Sequence, residues 1–154
     1  MAAVGKAFAA EMTAVGTLNY AALRWDDAQV LTVIEALRAA HAGGGLRKVD
    51  GLNLGNNQLG DGAAAALAAL LEEGAMPNLK GLVLSRNQIA TDGVAALTSA
   101  LRGGALPACT KIYLGSNPGS DAKESGDVDS KVKEALASPE RAAALARHRD
   151  EPSA

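Results

Sequence analysis

The chain has 154 residues, of which 48% are hydrophobic and only 3% aromatic, and a formal net charge of −2. That length suits one ordinary domain whose core is built from aliphatic side chains and alanine, and the charge gives no electrostatic case for a nucleic acid or an anionic membrane as partner. One cysteine, Cys109, excludes an intrachain disulfide, and no stretch reaches the ~18 apolar residues that a membrane span needs.

At the start, Val4, Phe8, Met12 and Val15 recur at helical spacing and form one apolar stripe. The segment has no continuous apolar run and contains Glu11, so it does not read as a secretory signal. The expected location is cytoplasmic, and the expected role of residues 1–16 is an N-terminal helical cap. Lys6 is the stripe's only basic residue, which counts against the rival role of a membrane-surface or partner helix. A divergent unit follows. Leu18, Ala21, Leu23 and Asp26 fit a strand-and-turn pattern shifted by one residue, and DAQVLTVIEALRAAHAGGG predicts a helix with Leu37 inward and Gly44 at its stop.

Three clear units come next. VDGLNLGNNQL from Val49, LKGLVLSRNQI from Leu79 and CTKIYLGSNPG from Cys109 each fit apolar-x-x-apolar-x-Leu-x-x-Asn, and their starts are equally spaced along the chain. A fixed period marks stacked repeats in which no unit buries its own apolar face. The alternating pairs Leu52/Leu54, Leu82/Leu84 and Ile112/Leu114 predict short parallel strands. Asn57, Asn87 and Asn117 carry both donors and acceptors, and stacked they would tie each turn to the next. The segments after Leu59 and Ile89 predict helices: Leu67 and Leu71 match Leu97 and Leu101 as i, i+4 pairs, Asp61 and Asp92 lie near the helix starts, and Gly74 and Gly104 stop them ahead of Pro77 and Pro107.

At the far end Val128, Val132 and Leu136 make a stripe with Asp129 or Ser130 as its N-cap, and Ser138-Pro139-Glu140 opens a further helix with proline at its first position. The expected division is repeats over residues 17–118, a capping loop and helix over 119–137, and an exposed helix and tail over 138–154.

The pattern at residues 46–117 resembles the leucine-rich repeat family, and Asn87, Ile89 and Gly93 with the long helix are similar to its ribonuclease-inhibitor-like class. The first clear unit departs with Gly62 one position early and Ala63 where glycine is expected; the third departs with Pro118 after its asparagine. The resemblance implies an α/β fold: a short solenoid with parallel strands on the concave face, helices on the convex face, and helical caps. One member type of this class activates a small GTPase, but no residue here matches such determinants.

Candidate chemistry is thin. Asp121, Gly126 and Asp129 fall at calcium-loop positions 1, 6 and 9, but Lys123 stands at position 3 and Val132 at position 12, where a bidentate glutamate is needed. Gly43, Gly44 and Gly45 are explained as a helix stop rather than a phosphate loop. With one cysteine and two scattered histidines, His41 and His148, neither a zinc site nor a nucleophile–base set emerges. Cys109 takes the first apolar slot of its unit and is expected to be buried in a reducing compartment rather than reactive. No enzyme, cofactor, metal or small-molecule substrate is expected.

What remains is surface. Residues between the inward leucines project to the concave face. The aligned columns are Tyr20, Gly51, Gly81 and Lys111; Ala22, Asn53, Val83 and Tyr113; Arg24, Gly55, Ser85 and Gly115; Trp25, Asn56, Arg86 and Ser116. They gather the only tryptophan, both tyrosines and two arginines, types enriched at interface hot spots. The expected partner-binding set is Arg24, Trp25, Asn53, Asn56, Val83, Ser85, Arg86, Lys111, Tyr113 and Ser116, with a protein as partner. A competing role for Trp25 and Tyr20 is packing against the N-terminal cap. A competing interaction surface is the convex face, because residues 63–71 and 93–101 carry no charge, where a solvated helix normally would; the chain would then be a structural subunit of a larger assembly.

Overall fold

The computed structural model describes residues 16–121 and 129–150. The expected N-terminal stripe, most of the polar loop before Asp129 and the last residues of the tail lie outside them. Strands β1 (Thr17–Asn19), β2 (Gly51–Asn53), β3 (Gly81–Val83) and β4 (Lys111–Tyr113) form one parallel sheet in chain order. The crossovers that parallel pairing requires are helices α1 (Asp27–Ala42), α2 (Asp61–Glu72) and α3 (Thr91–Arg102), and α4 (Ser130–Leu136) and α5 (Pro139–Asp150) close the chain. Helix α1 packs beside α2, α2 beside α3 and α3 beside α4, and α5 rests on α3.

The constant interval between units becomes a row of side chains. Leu52 pairs with Leu82 and Leu82 with Ile112, and all three are buried. Val49, Leu79 and Cys109 are buried below them, and Leu54, Leu84 and Leu114 above. Gly44, Gly74 and Gly104 adopt φ of 79°, 89° and 96° after the helices, the left-handed turn in which glycine carries no Cβ penalty.

The asparagines form the expected ladder. Asn87 Nδ2 donates to Leu54 O and Leu84 O, both at 3.0 Å, while its Oδ1 accepts the Leu59 amide at 3.1 Å. Asn117 repeats this with Leu84 O, Leu114 O and the Ile89 amide. Asn57 does the same work toward the first unit, accepting from Leu23 N and Trp25 N and donating to Tyr20 O.

A second ladder has no counterpart among the sequence expectations. The Asp61 carboxylate does not cap its own helix, whose N-cap is Gly60 without a side-chain bond. Asp61 Oδ1 instead accepts from Ala90 N at 2.7 Å and Gly93 N at 3.0 Å, at the start of the next helix. Asp27 reaches Gly60 N in the same way at 2.6 Å. Each carboxylate thus meets the orphan amides of the following repeat. This is why Gly93 is glycine: an added Cβ would lie 2.6 Å from Asp61 Oδ1 and 2.6 Å from Ile89 Cγ2.

The first unit is real, but its expected register is wrong. Thr17, Leu18 and Asn19 pair with Gly51, Leu52 and Asn53. Leu18 therefore meets Leu52, whereas Asp26 bridges Gln58, so the first turn is longer than the turn it pairs with. Tyr20, expected on the open face, is buried at the level of Leu54, and Leu23, expected in the core, is 46% exposed.

The uncharged helices also have a structural cause. α2 lies between α1 and α3 and buries Ala63, Ala64, Leu67, Ala68, Leu70 and Leu71. Gly62, Ala65, Ala69 and Glu72 are accessible on it, so a charge has few solvated positions to occupy. Ala68 is 3% exposed and is a core residue.

The C-terminal helices differ in part from expectation. Asp129 is the N-cap of α4, accepting from Lys131 N and Val132 N, with Val132 buried. Asp121 N donates to Asp129 Oδ2, and the Asp121 carboxylate accepts the Ser130 amide and hydroxyl, which draws its pKa below the ordinary value. The Ser138 hydroxyl accepts Arg141 N at the start of α5. That helix, expected to be exposed, is anchored by its first turns. Arg141 is 4% exposed and donates to Leu101 O, Ala105 O and Leu106 O at 2.6–2.8 Å, and Ala144 is buried. The guanidinium thus takes one carbonyl from the last turn of α3, at the negative end of that helix, and two from the loop that follows it.

Candidate functional site: the open face of the sheet

Strand alternation turns Leu52, Leu82 and Ile112 toward the helices, so their neighbours face away. Two expected columns are found in register: Gly51, Gly81 and Lys111 pair across β2–β4, and so do Asn53, Val83 and Tyr113. Lys111 is exposed, and Asn53, Val83 and Tyr113 are half-buried. Asn53 Oδ1 accepts the Gly55 amide at 2.9 Å, which fixes its rotamer.

The next column closes up. Ser85 is 3% exposed, since the backbone there turns inward to bring Asn87 over the core edge, and Ser85 O takes both Asn56 N and Asn87 Nδ2. Ser85 therefore presents no side chain to a partner. One residue on, Asn56, Arg86 and Ser116 are exposed at φ of 57°, 57° and 62°. This left-handed geometry is tolerable for asparagine but costs an arginine or serine on the order of 1 kcal/mol, and the periodic turn imposes it at every unit.

The first-unit members fall elsewhere. Thr17 and Asn19, not Tyr20 and Ala22, continue the two strand columns. The signal was present in the sequence: Leu18-Asn19-Tyr20 mirrors Leu52-Asn53-Leu54. Trp25 is half-buried against the core and stacks on Tyr20 with centroids 5.4 Å apart; this is packing rather than exposure on the open face. Arg24 is exposed in the lengthened turn at φ 57° and is not part of the strand columns.

The open face thus gathers Asn53, Val83, Lys111 and Tyr113, with Arg86 at one rim and exposed Lys80 at the entry of β3. Asp50, exposed beside β2, accepts the Thr17 hydroxyl at 3.1 Å. Elsewhere, a groove of about 570 Å³ runs along the C-terminal ends of α2 and α3, lined by Leu71, Pro77, Leu106, Pro107 and Leu145. Cys109 is buried, and burial pushes its thiol pKa up. Among the described residues, no group of three or more His, Cys, Asp or Glu side chains is placed to hold a metal ion, and no helix is long and apolar enough to cross a membrane.

No protein-family model matches this sequence, and no curated protein matches it. Solved structures do match the fold. Leiomodin-1 actin-binding site 2 superposes with a TM-score of 0.62 at 16% identity, covering 94% of this chain and 90% of that one. The tropomodulin C-terminal domain of Caenorhabditis elegans gives 0.59 at 16% identity, covering 94% of this chain and 96% of that one. At that identity the likeness defines the fold alone.

Proposed function

We propose that this chain is a non-catalytic protein-binding module: a short leucine-rich-repeat solenoid of the ribonuclease-inhibitor-like class that takes its partner on the concave strand face. The repeat body spans residues 17–118, closed by 119–137, and works in the cytoplasm. The observation that carries the proposal is the column of Asn53, Val83 and Tyr113, in register across three strands and accessible beside Lys111. A half-buried tyrosine flanked by a cation and an aliphatic neighbour has the composition of an interface hot spot. The parallel sheet and the asparagine ladder support the repeat class. The leiomodin-1 neighbour was solved as an actin-binding site, which makes actin the first defined partner to assay.

The competing surface is the convex helix face, where Ala65 and Ala69 are exposed. The test is affinity capture from the native source followed by quantitative mass spectrometry, with purified actin assayed in parallel. Four baits are compared: wild type, Tyr113→Ala, Arg86→Ala and Ala65→Glu. The proposal expects both strand-face variants to lose the main partner and Ala65→Glu to retain it; the reverse pattern assigns binding to the helices.

A further inference from the structure

Corresponding positions in successive repeats line two pockets of different size. His41, Ala42, Gly44, Arg47, Gly74 and Pro77 are among the residues lining about 310 Å³ between the ends of α1 and α2. One repeat further on, Leu71, Glu72, Gly74, Pro77, Gly104 and Pro107 are among those lining the groove of about 570 Å³ between the ends of α2 and α3. Side chains from α1 brace the first seam. Arg38 Nε donates to Glu73 Oε2 at 2.9 Å, and the His41 ring lies 3.2 Å from Glu73 O. At the second seam Ala68, Leu71 and Pro77 stand where the first has Arg38, His41 and Arg47, and Gly103 stands where it has Glu73. These four can form no ion pair. The buried side chains of Leu71, Ala75, Ala100 and Leu106 line the wider gap instead, with Leu145 of α5 beside them.

Glu72 and Glu73 are the charged residues lining this groove. Arg38 engages Glu73, whereas Glu72, exposed at the end of α2, joins no ion pair among the described residues. Helices α1 and α3 carry a basic residue in the last turn, His41 and Arg102, and α2 carries none. Two arginines approach this end of α3. Arg102 lies 3.8 Å from Glu140, and Arg141 is buried on the carbonyls of Leu101, Ala105 and Leu106. Both serve α3 and α5 rather than the end of α2. A carboxylate at the negative end of a helix dipole is unfavourable until a cation meets it.

We propose that this groove is a second docking site, which receives a basic amphipathic helix of a protein partner. Aliphatic side chains of that helix pack on Leu71, Ala100, Leu106 and Leu145, and a lysine or arginine one helical turn away meets Glu72. The partner thus supplies at the second seam the cation that α1 supplies at the first. The site lies at the helix ends, and it adds to the concave-face reading without depending on it.

The probe is the capped peptide acetyl-Lys-Ala-Leu-Leu-Lys-Ala-Leu-Leu-Lys-Ala-amide, titrated into ¹⁵N-labelled protein. One twin carries glutamine for every lysine and another alanine for every leucine. Saturable shifts are expected at the Gly74, Ala75, Gly104 and Leu145 amides with the parent peptide, and at least tenfold weaker binding with either twin. Pro77→Arg copies the first seam, where Arg47 stands, and is expected to weaken binding at least tenfold. Glu72→Lys is expected to do the same. Glu35→Lys, at a position that does not line the groove, and Tyr113→Ala, on the strand face, are expected to bind as wild type does. Circular dichroism and melting temperature control for folding. Absence of saturable shifts, equal binding of either twin, full binding by Glu72→Lys or by folded Pro77→Arg, or equal loss with Glu35→Lys each overturns the inference. If Pro77→Arg does not fold, Glu72→Lys, at an exposed position, decides. Loss with Tyr113→Ala alone moves the peptide to the strand face, so the groove falls and the concave-face reading stands.

Discussion

Replacing Asn87 with alanine tests the asparagine ladder where its redundancy can be counted. The three carbonyls that Asn87 serves keep other donors: Leu54 O retains Asn57 Nδ2 at 2.9 Å, Leu84 O retains Asn117 Nδ2 at 2.8 Å, and Ser85 O retains Asn56 N at 2.9 Å. The buried Leu59 amide instead loses Asn87 Oδ1. One buried N–H left unsatisfied costs about 1–3 kcal/mol, so Asn87→Ala should lose about 2 kcal/mol, not the sum of four hydrogen bonds. Asn87→Asp keeps the acceptor for Leu59 but turns an oxygen toward carbonyls, and at neutral pH it should be less stable than the alanine variant. Burial and the facing carbonyls raise the introduced carboxyl's folded pKa. Its contribution is therefore full below the unfolded value of about 3.9, where the acid can donate, and is lost as pH rises through the raised folded value. Urea denaturation followed by circular dichroism, at pH 7 and pH 4 against wild type at each pH, reads both effects. An alanine variant within about 0.5 kcal/mol of wild type, or an aspartate variant that outlasts it at pH 7, would refute the reasoning.

Other expectations follow from single contacts. A methyl at Gly119 would sit inside the Ala90 peptide group, so Gly119→Ala should cost about 3 kcal/mol or more by overpacking; wild-type stability in the same denaturation assay would show that the loop can give way. Arg141→Ala should cost about 3 kcal/mol by removing a charged donor from three buried carbonyls, and its unfolding midpoint should fall well below that of Arg147→Ala. Cys109 should resist a thiol-specific reagent at pH 8 until the chain unfolds, because burial raises its pKa; fast labelling of native protein would contradict this. Asp121 has a folded pKa drawn down first by the Ser130 hydroxyl, so its support for α4 is present above about 3.8 and lost as pH falls through the folded value. The Ser130 amide resonance should titrate with a midpoint below 3.8, and a midpoint above that value would sink the assignment.

Much of the fold was legible because stacked repeats write the same demand at the same interval. Leu52, Leu82 and Ile112 had to be neighbours once Val49, Leu79 and Cys109 opened equally spaced units. The asparagines were legible for a similar reason, since a turn exposes backbone groups that a neutral amide can satisfy. Three things were not legible. The first unit breaks the interval with a longer turn, and the alternation of Ala21 and Leu23 imitates a strand where the chain makes that turn. The reach of Asp27 and Asp61 to the next helix depends on how tightly the helices stack, which Gly93 hints at but does not state. Arg141 lies in a segment of low apolar content, and only the three-dimensional approach of α5 to the end of α3 shows that its guanidinium has carbonyls to meet. On the candidate site, the columns from β2 to β4 carried over directly. Ser85 and Trp25 did not, because burial beside the turn and stacking on Tyr20 are not visible in a period-2 pattern.

The most direct test of the proposed role is the affinity of one captured partner, or of actin if it binds, for four purified variants whose circular dichroism matches wild type: Tyr113→Ala, Arg86→Ala, Ala65→Glu and the double change of the first two. Strand-face binding predicts losses of more than about 1 kcal/mol for each single strand-face change, a larger loss for the pair, and wild-type affinity for Ala65→Glu. Wild-type affinity for the double variant together with loss in Ala65→Glu would contradict it.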